Sequence, residues 1–247
     1  MRPSRTGYRV AARLTVFLVA IMASLGPVRS DDGLTPLSTS ISDAEIGRRL
    51  DFLESRLDET KLHGQAWFWS WMAINVGSTG GNAYAASTFD NHDDRVNAAV
   101  AAGQSTIGII DLLARPLEAR YGADRIRPLP QSSRQEKILK LRAAEAQLQR
   151  NAQRASQRWS PVDHAGNAAL ALAGGLTVGL YGNPSDGVIS GVSSLVGGWI
   201  NLLSAPWQPE DDWQDYQAMI SHRALMEVHV FTTALSDGAM LGVRVQW

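Results

Sequence analysis

Residues 165–209 read AGNAALALAGGLTVGLYGNPSDGVISGVSSLVGGWINLLSAPWQP, and Asp186 is the one charged side chain among them. The turn sequence Gly182-Asn183-Pro184-Ser185-Asp186-Gly187 parts two nearly charge-free runs, Ala165 to Ser185 and Gly187 to Pro209, so the stretch predicts a helical hairpin. A similar stretch lies upstream. Gly64 to Phe89 carries no charged side chain, a polar turn follows (Asp90, His92, Asp93, Asp94, Arg95), and Val96 to Ile110 is again uncharged. At an offset of 90, Asp111-Leu112-Leu113-Ala114-Arg115-Pro116 lies over Asn201-Leu202-Leu203-Ser204-Ala205-Pro206, with Gly108 over Gly198, Ile110 over Ile200 and Trp69 over Trp159. The prolines that close both copies stop the helices there.

A polar helix precedes each hairpin. Ser42 or Asp43 can cap a helix whose apolar positions Ile46, Leu50, Leu53 and Leu57 form a coiled-coil-like stripe. Ile138, Leu141 and Leu148 give a weaker stripe, in a region (115–158) that holds 11 Lys/Arg against 4 Asp/Glu. The expected fold is therefore mainly α. It consists of two tandem repeats, each an amphipathic helix plus a Gly/Ala-rich hairpin, whose four legs form a four-helix apolar core. Repeat 1 covers 43–114, a linker 115–133, repeat 2 134–207, and a tail 208–247.

The tail opens acidic and aromatic (Glu210, Asp211, Asp212, Trp213, Asp215, Tyr216), continues as a short helix, and then alternates with period two around Asp237-Gly238, as a small β-hairpin does. The last residues, Gly242 to Trp247, resemble the terminal signal of bacterial outer-membrane barrel proteins. One hairpin cannot close a barrel, so a single-chain barrel is not expected.

Residues 1–30 read as a secretory signal peptide: Arg2, Arg5, Arg9 and Arg13, the apolar run Leu14 to Leu25, then Val28-Arg29-Ser30. A flexible lead (31–42) follows. Cleavage after Ser30 leaves 18 basic against 24 acidic side chains, a mildly acidic chain. The absence of cysteine excludes thiol nucleophiles, Cys-ligated zinc and disulfides, and a full-length net charge of −1 argues against a nucleic-acid partner.

The legs carry small residues at spacings of four: Ala171, Gly175 and Gly179, then Gly187 and Gly191, and Ala98 and Ala102. Such spacing lets helix backbones approach closely, as transmembrane pairs do. Trp67, Trp69, Trp71, Trp159, Trp199 and Trp207 fall near the leg ends away from the turns, the distribution of an interfacial aromatic belt. Two features oppose insertion. A leg of about 24 Å is short against a hydrocarbon core of about 30 Å, and the basic segment would stay outside, against the positive-inside rule.

Chemistry has no recognised signature here. His92 with its neighbouring aspartates reads as a solvated turn, and Asp163 with His164 as a helix cap. His222, Glu227 and His229 have no metal-ligand spacing. Gly77-Ser78-Thr79-Gly80-Gly81 lacks a phosphate-loop pattern and reads as close helix packing. No catalytic residue, metal or cofactor is expected. The chain reads as a non-catalytic, membrane-associated structural or interaction protein of the bacterial cell envelope, with lipid as partner and its amphipathic helices pairing with each other or with another protein. The alternative is a soluble periplasmic helical protein holding a small apolar or lipid-like ligand between the legs.

Overall fold

The computed structural model describes residues 41–157 and 160–224 and the backbone of 228–235 and 238–245, with side chains as far as Ser221. The expected signal peptide, nearly all of the lead, Trp159, Asp237 and Trp247 lie outside the described residues, as do the side chains of His222, Glu227 and His229. The chain is mainly helical. The helices are α1 (Asp43–Glu59), α2 (Lys61–Thr88), α3 (His92–Ala114), a 3-10 turn (Glu118–Tyr121), α4 (Arg134–Gln157), α5 (Pro161–Tyr181), α6 (Pro184–Ser204) and α7 (Gln208–Ala224).

Local chemistry sets most of these ends. Ser42 caps α1, its hydroxyl accepting from the Glu45 N–H at 3.2 Å. The helix ends at Glu59, just past Leu57, the last position of its apolar stripe, and the Thr60 hydroxyl donates to the Leu57 carbonyl at 3.1 Å. Both hairpin turns are tighter than the polar residues around them suggest. Asn91 caps α3 by accepting from the Asp93 N–H at 3.0 Å, so His92 to Arg95 form the first helical turn. Asn183 caps α6 in the same way at 2.8 Å, with Pro184 at the first helical position. Ser160 caps α5 through the Val162 N–H, so Asp163 and His164 fall inside the helix and are not its cap.

The residues divide into two compact units. One gathers Trp67–Pro116 and Gln157–Ala205, the apolar legs; the other gathers Ser42–Ala66, Leu117–Ser156 and the chain from Pro206, the polar segments. Each unit draws on both halves of the sequence.

The polar unit has an ordinary hydrophobic core. Ile46, Leu50, Leu53 and Leu57 of α1 are buried, as are Leu141, Ala144, Leu148, Ala152 and Ala155 of α4 and Tyr216 of α7. The segment 115–133, expected as a linker, adds Leu117, Ala119, Ala123 and Ile126 to that core. Gly122 turns the chain there at φ 52°, a left-handed conformation, and a Cβ on it would stand 2.7 Å from an Asp58 carboxylate oxygen. The Gly122 carbonyl accepts from buried Gln147 at 2.6 Å, and Asp58 accepts from the Ala123 N–H at 3.0 Å.

Several cations of 115–158 are met inside this unit. Asp43 pairs with Arg134 and with Lys137 at 3.2 Å, Glu54 with Lys140 at 3.0 Å, Asp58 with Arg127, and Glu118 with Arg150 at 3.0 Å. The hydrogen bonds from Lys137 and Arg134 hold the Asp43 carboxyl below the ordinary aspartate range. Burial works against Asp58, but the Ala123 N–H and Arg127 outweigh it and lower that carboxyl too.

Candidate functional site

In the apolar unit the usual arrangement of side chains is reversed. Its buried residues are mostly small: Ala98, Ala171, Gly174 and Gly187, with Phe68, Leu112 and Val178. Its large apolar side chains face out. Along α5, Leu172, Leu176 and Leu180 are 65%, 62% and 77% exposed, and on α6 Val188, Ile189, Val192, Ile200 and Leu203 are exposed as well. Leu172, Leu176 and Leu180 recur every four residues, so they form one ridge on the outer face of α5. A monomer dissolved in water rarely shows an apolar surface of this continuity.

Small residues let α5 and α6 touch backbone to backbone. A Cβ on Gly175 would stand 2.7 Å from the Gly187 carbonyl oxygen and 3.0 Å from Gly191 Cα; one on Gly187 would stand 2.6 Å from Gly179 Cα. Gly191 in turn lies against the Ala171 carbonyl at 3.4 Å, so the five helix-packing candidates Ala171, Gly175, Gly179, Gly187 and Gly191 meet along one seam. A ligand has no room between these two helices.

Inward polar side chains tie the helices together. Gln104 of α3 donates to the Leu170 carbonyl of α5 at 3.0 Å and accepts from the Ser194 hydroxyl of α6 at 2.8 Å. Asn167 of α5 donates to the Leu195 carbonyl at 3.2 Å. Three amides each rest against a glycine of the neighbouring helix: Asn75 on Gly108, Gln104 on Gly174 and Asn167 on Gly198. Nothing in the spacing of the sequence singled out these amides. Their common signal is a Gln or Asn inside an otherwise uncharged leg, which has to find a hydrogen-bond partner away from an apolar exterior.

The tryptophans sit as follows. Trp67 donates its indole N–H to the Asn201 carbonyl and Trp71 donates to the Ser204 hydroxyl, both at 3.1 Å, fastening the start of α2 to the end of α6. Trp69 and Trp199 are 64% and 47% exposed. Trp207 is exposed in the polar unit. Arg115 closes the same end of the apolar unit, pairing with Asp111 of α3 and reaching Asp163 of α5 at 3.4 Å. At the turn end, a Cβ on Gly182 would come within 3.4 Å of Asp93 Cα. Among the described residues no atom lies near the Cβ positions of Gly77, Gly80 and Gly81, so the close packing expected of that glycine cluster is not seen there, and all three are exposed.

Two helical stretches among the described residues are long and apolar enough to cross a membrane, His92–Ala114 and Pro184–Ser221, with 11% and 0% of their apolar windows buried. The second is interrupted at Ala205-Pro206, so its apolar part is α6. No group of three metal-ligating side chains comes together among the described residues; His92 is exposed, 3.4 Å from Asp93. Comparison with protein families, characterised proteins and solved structures finds no match.

Proposed function

We propose that this chain is a non-catalytic, membrane-associated structural or interaction protein of the bacterial cell envelope, whose apolar hairpins enter the bilayer while the polar unit stays in water. The observation that carries the reading is the reversed polarity of the apolar unit: Leu172, Leu176, Leu180, Val188 and Ile189 face out while Gln104, Asn167 and Ser194 bond inside. Acyl chains solvate the first set at no cost, and in their absence of water the second set must bond to neighbouring helices. The exposed Trp69 and Trp199 suit the bilayer interface.

Two finer parts belong to the same proposal. For the tandem repeat, the offset of 90 sets Gln104 over Ser194, and these two residues bond to each other. This bond between positions equivalent in the two halves is the support for the repeat. For the terminal β-hairpin, the support is the antiparallel register of β1 (Val228–Leu235) with β2 (Gly238–Val245), Val230 opposite Val243. Export follows from the N-terminal reading and predicts a mature chain that starts at Asp31.

Alkaline carbonate extraction of membranes tests the proposal. The protein is expected to stay in the pellet, with a mature mass matching a start at Asp31. Complete release into the supernatant overturns the membrane reading and turns attention to the soluble, ligand-holding alternative.

A further inference from the structure

Helix α7 carries four acids within six residues, Glu210, Asp211, Asp212 and Asp215. Glu210 and Asp211 lie in its first turn, where the helix dipole favours them. Asp212 does not share that solvated position. With Pro209 and Tyr216 it forms the buried face of α7, at the three- and four-residue spacing of one helix side. Tyr216 fixes this face: its ring stacks 6.0 Å from Phe52 of α1, and its hydroxyl donates to buried Glu145 of α4.

One turn before Tyr216, Asp212 is 2% exposed; its Oδ1 lies 3.5 Å from an Arg56 guanidinium nitrogen and its Oδ2 is buried without a hydrogen-bond partner among the described residues. Arg56 is already engaged. It pairs with Glu59 of α1 at 3.1 Å and with Asp215 of α7 at 3.5 Å, and lies 5.3 Å over the Phe52 ring. One cation therefore serves three carboxylates, with Asp211 as a further negative neighbour. Water screens Glu59 and Asp215, which are well exposed, but not Asp212. An ionised carboxylate there leaves a buried charge poorly matched and one oxygen orphaned, whereas a proton removes the charge.

We propose that Asp212 is a proton-controlled latch: α7 holds α1 and α4 more tightly when Asp212 is protonated, and its hold loosens as the pH rises from 5 to 7.5. Burial lifts the Asp212 carboxyl to about 6; Arg56 opposes this, and Glu59, Asp215 and Asp211 add to it. Glu145, the other buried carboxyl facing α7, is also raised by burial, against the pull of Tyr216, Arg49 and Arg142, so it adds to the effect in the same direction. A carboxyl raised in the docked state stabilises docking at low pH, and that contribution is lost as the pH climbs through the docked value. With docked and free values of about 6 and 3.8, the docking constant falls about tenfold between pH 5 and pH 7.5.

Amide hydrogen exchange of 208–221 in the purified full chain, corrected for the intrinsic pH dependence of exchange, reads this constant directly. The wild type is expected to lose about tenfold in protection between pH 5 and pH 7.5, and Asp212→Asn, which mimics the protonated acid, to lose markedly less. Equal losses in the wild type and Asp212→Asn overturn the latch, as does unchanged or increased wild-type protection at pH 7.5. Should Asp212→Asn fail to fold, the wild-type series still decides: a loss confined to 208–221 and absent from 141–148 supports the latch, and a loss shared by both segments overturns it.

Discussion

Leu53 is fully buried in the polar unit, and its neighbours Leu50 and Leu57 on the α1 stripe are buried with it. Leu53→Ala removes methylene groups from this core and leaves a cavity, so it should cost about 3 kcal/mol; the check is the shift in denaturant midpoint of the purified chain. The same truncation at Leu172, on the exposed ridge of α5, should change stability by under about 1 kcal/mol. These two leucines look alike in composition and differ in partners. The burial of Leu53 was legible in the spacing of Ile46, Leu50, Leu53 and Leu57, because one amphipathic helix has only one face to hide. The contact of Gln104 with Ser194 was not, because a hydrogen bond between residues 90 apart depends on how three helices meet.

Between elements, the seam of α5 and α6 has no space for a side chain. Gly175→Leu or Gly187→Leu must push the two backbones apart, whereas Gly197, with open space at its Cβ position, accepts the same change. Thermal denaturation in detergent should therefore show a large loss of stability for the first two variants, about 3 kcal/mol or more, and little change for Gly197→Leu. Ion pairs from α1 to the basic segment also ease an objection raised by charge alone. The basic segment 115–158 meets Asp43, Glu54, Asp58 and its own Glu118 in ion pairs, so it presents fewer unmatched cations than its composition implies. Its apolar positions Leu141 and Leu148 are buried in the same unit, which narrows the surface open to a protein partner. The helix positions were readable from period and caps; the partner of each face was not, since a sequence pattern specifies that a stripe must be covered and not by what.

For the whole molecule, insertion of the hairpins would make the two shorter uncharged legs, on α3 and α5, set the bilayer that fits. From Arg95 to Asp111 the axial rise along α3 is about 24 Å, and from His164 to Gly182 along α5 about 27 Å, both shorter than a typical hydrocarbon core of about 30 Å. If the hairpins insert, the protein should bind most tightly to bilayers of shorter acyl chains. Quenching of Trp fluorescence by brominated lipids of 14 to 20 carbons would measure this: strongest binding at 20 carbons would contradict the match, and no quenching at any length would contradict insertion itself. Composition and periodicity alone determined that the chain is mainly helical, where the apolar stripe of α1 lies, and that charge is segregated into long uncharged runs. These are local quantities, fixed by spacing along one helix. Only the tertiary structure decided that segments from both halves of the sequence sort into an apolar and a polar unit, that the apolar unit turns its leucines outward and its amides inward, and that Asp212 is enclosed with one cation shared among three carboxylates. Each of those depends on which helix faces which, and burial and hydrogen bonding between distant residues settle it.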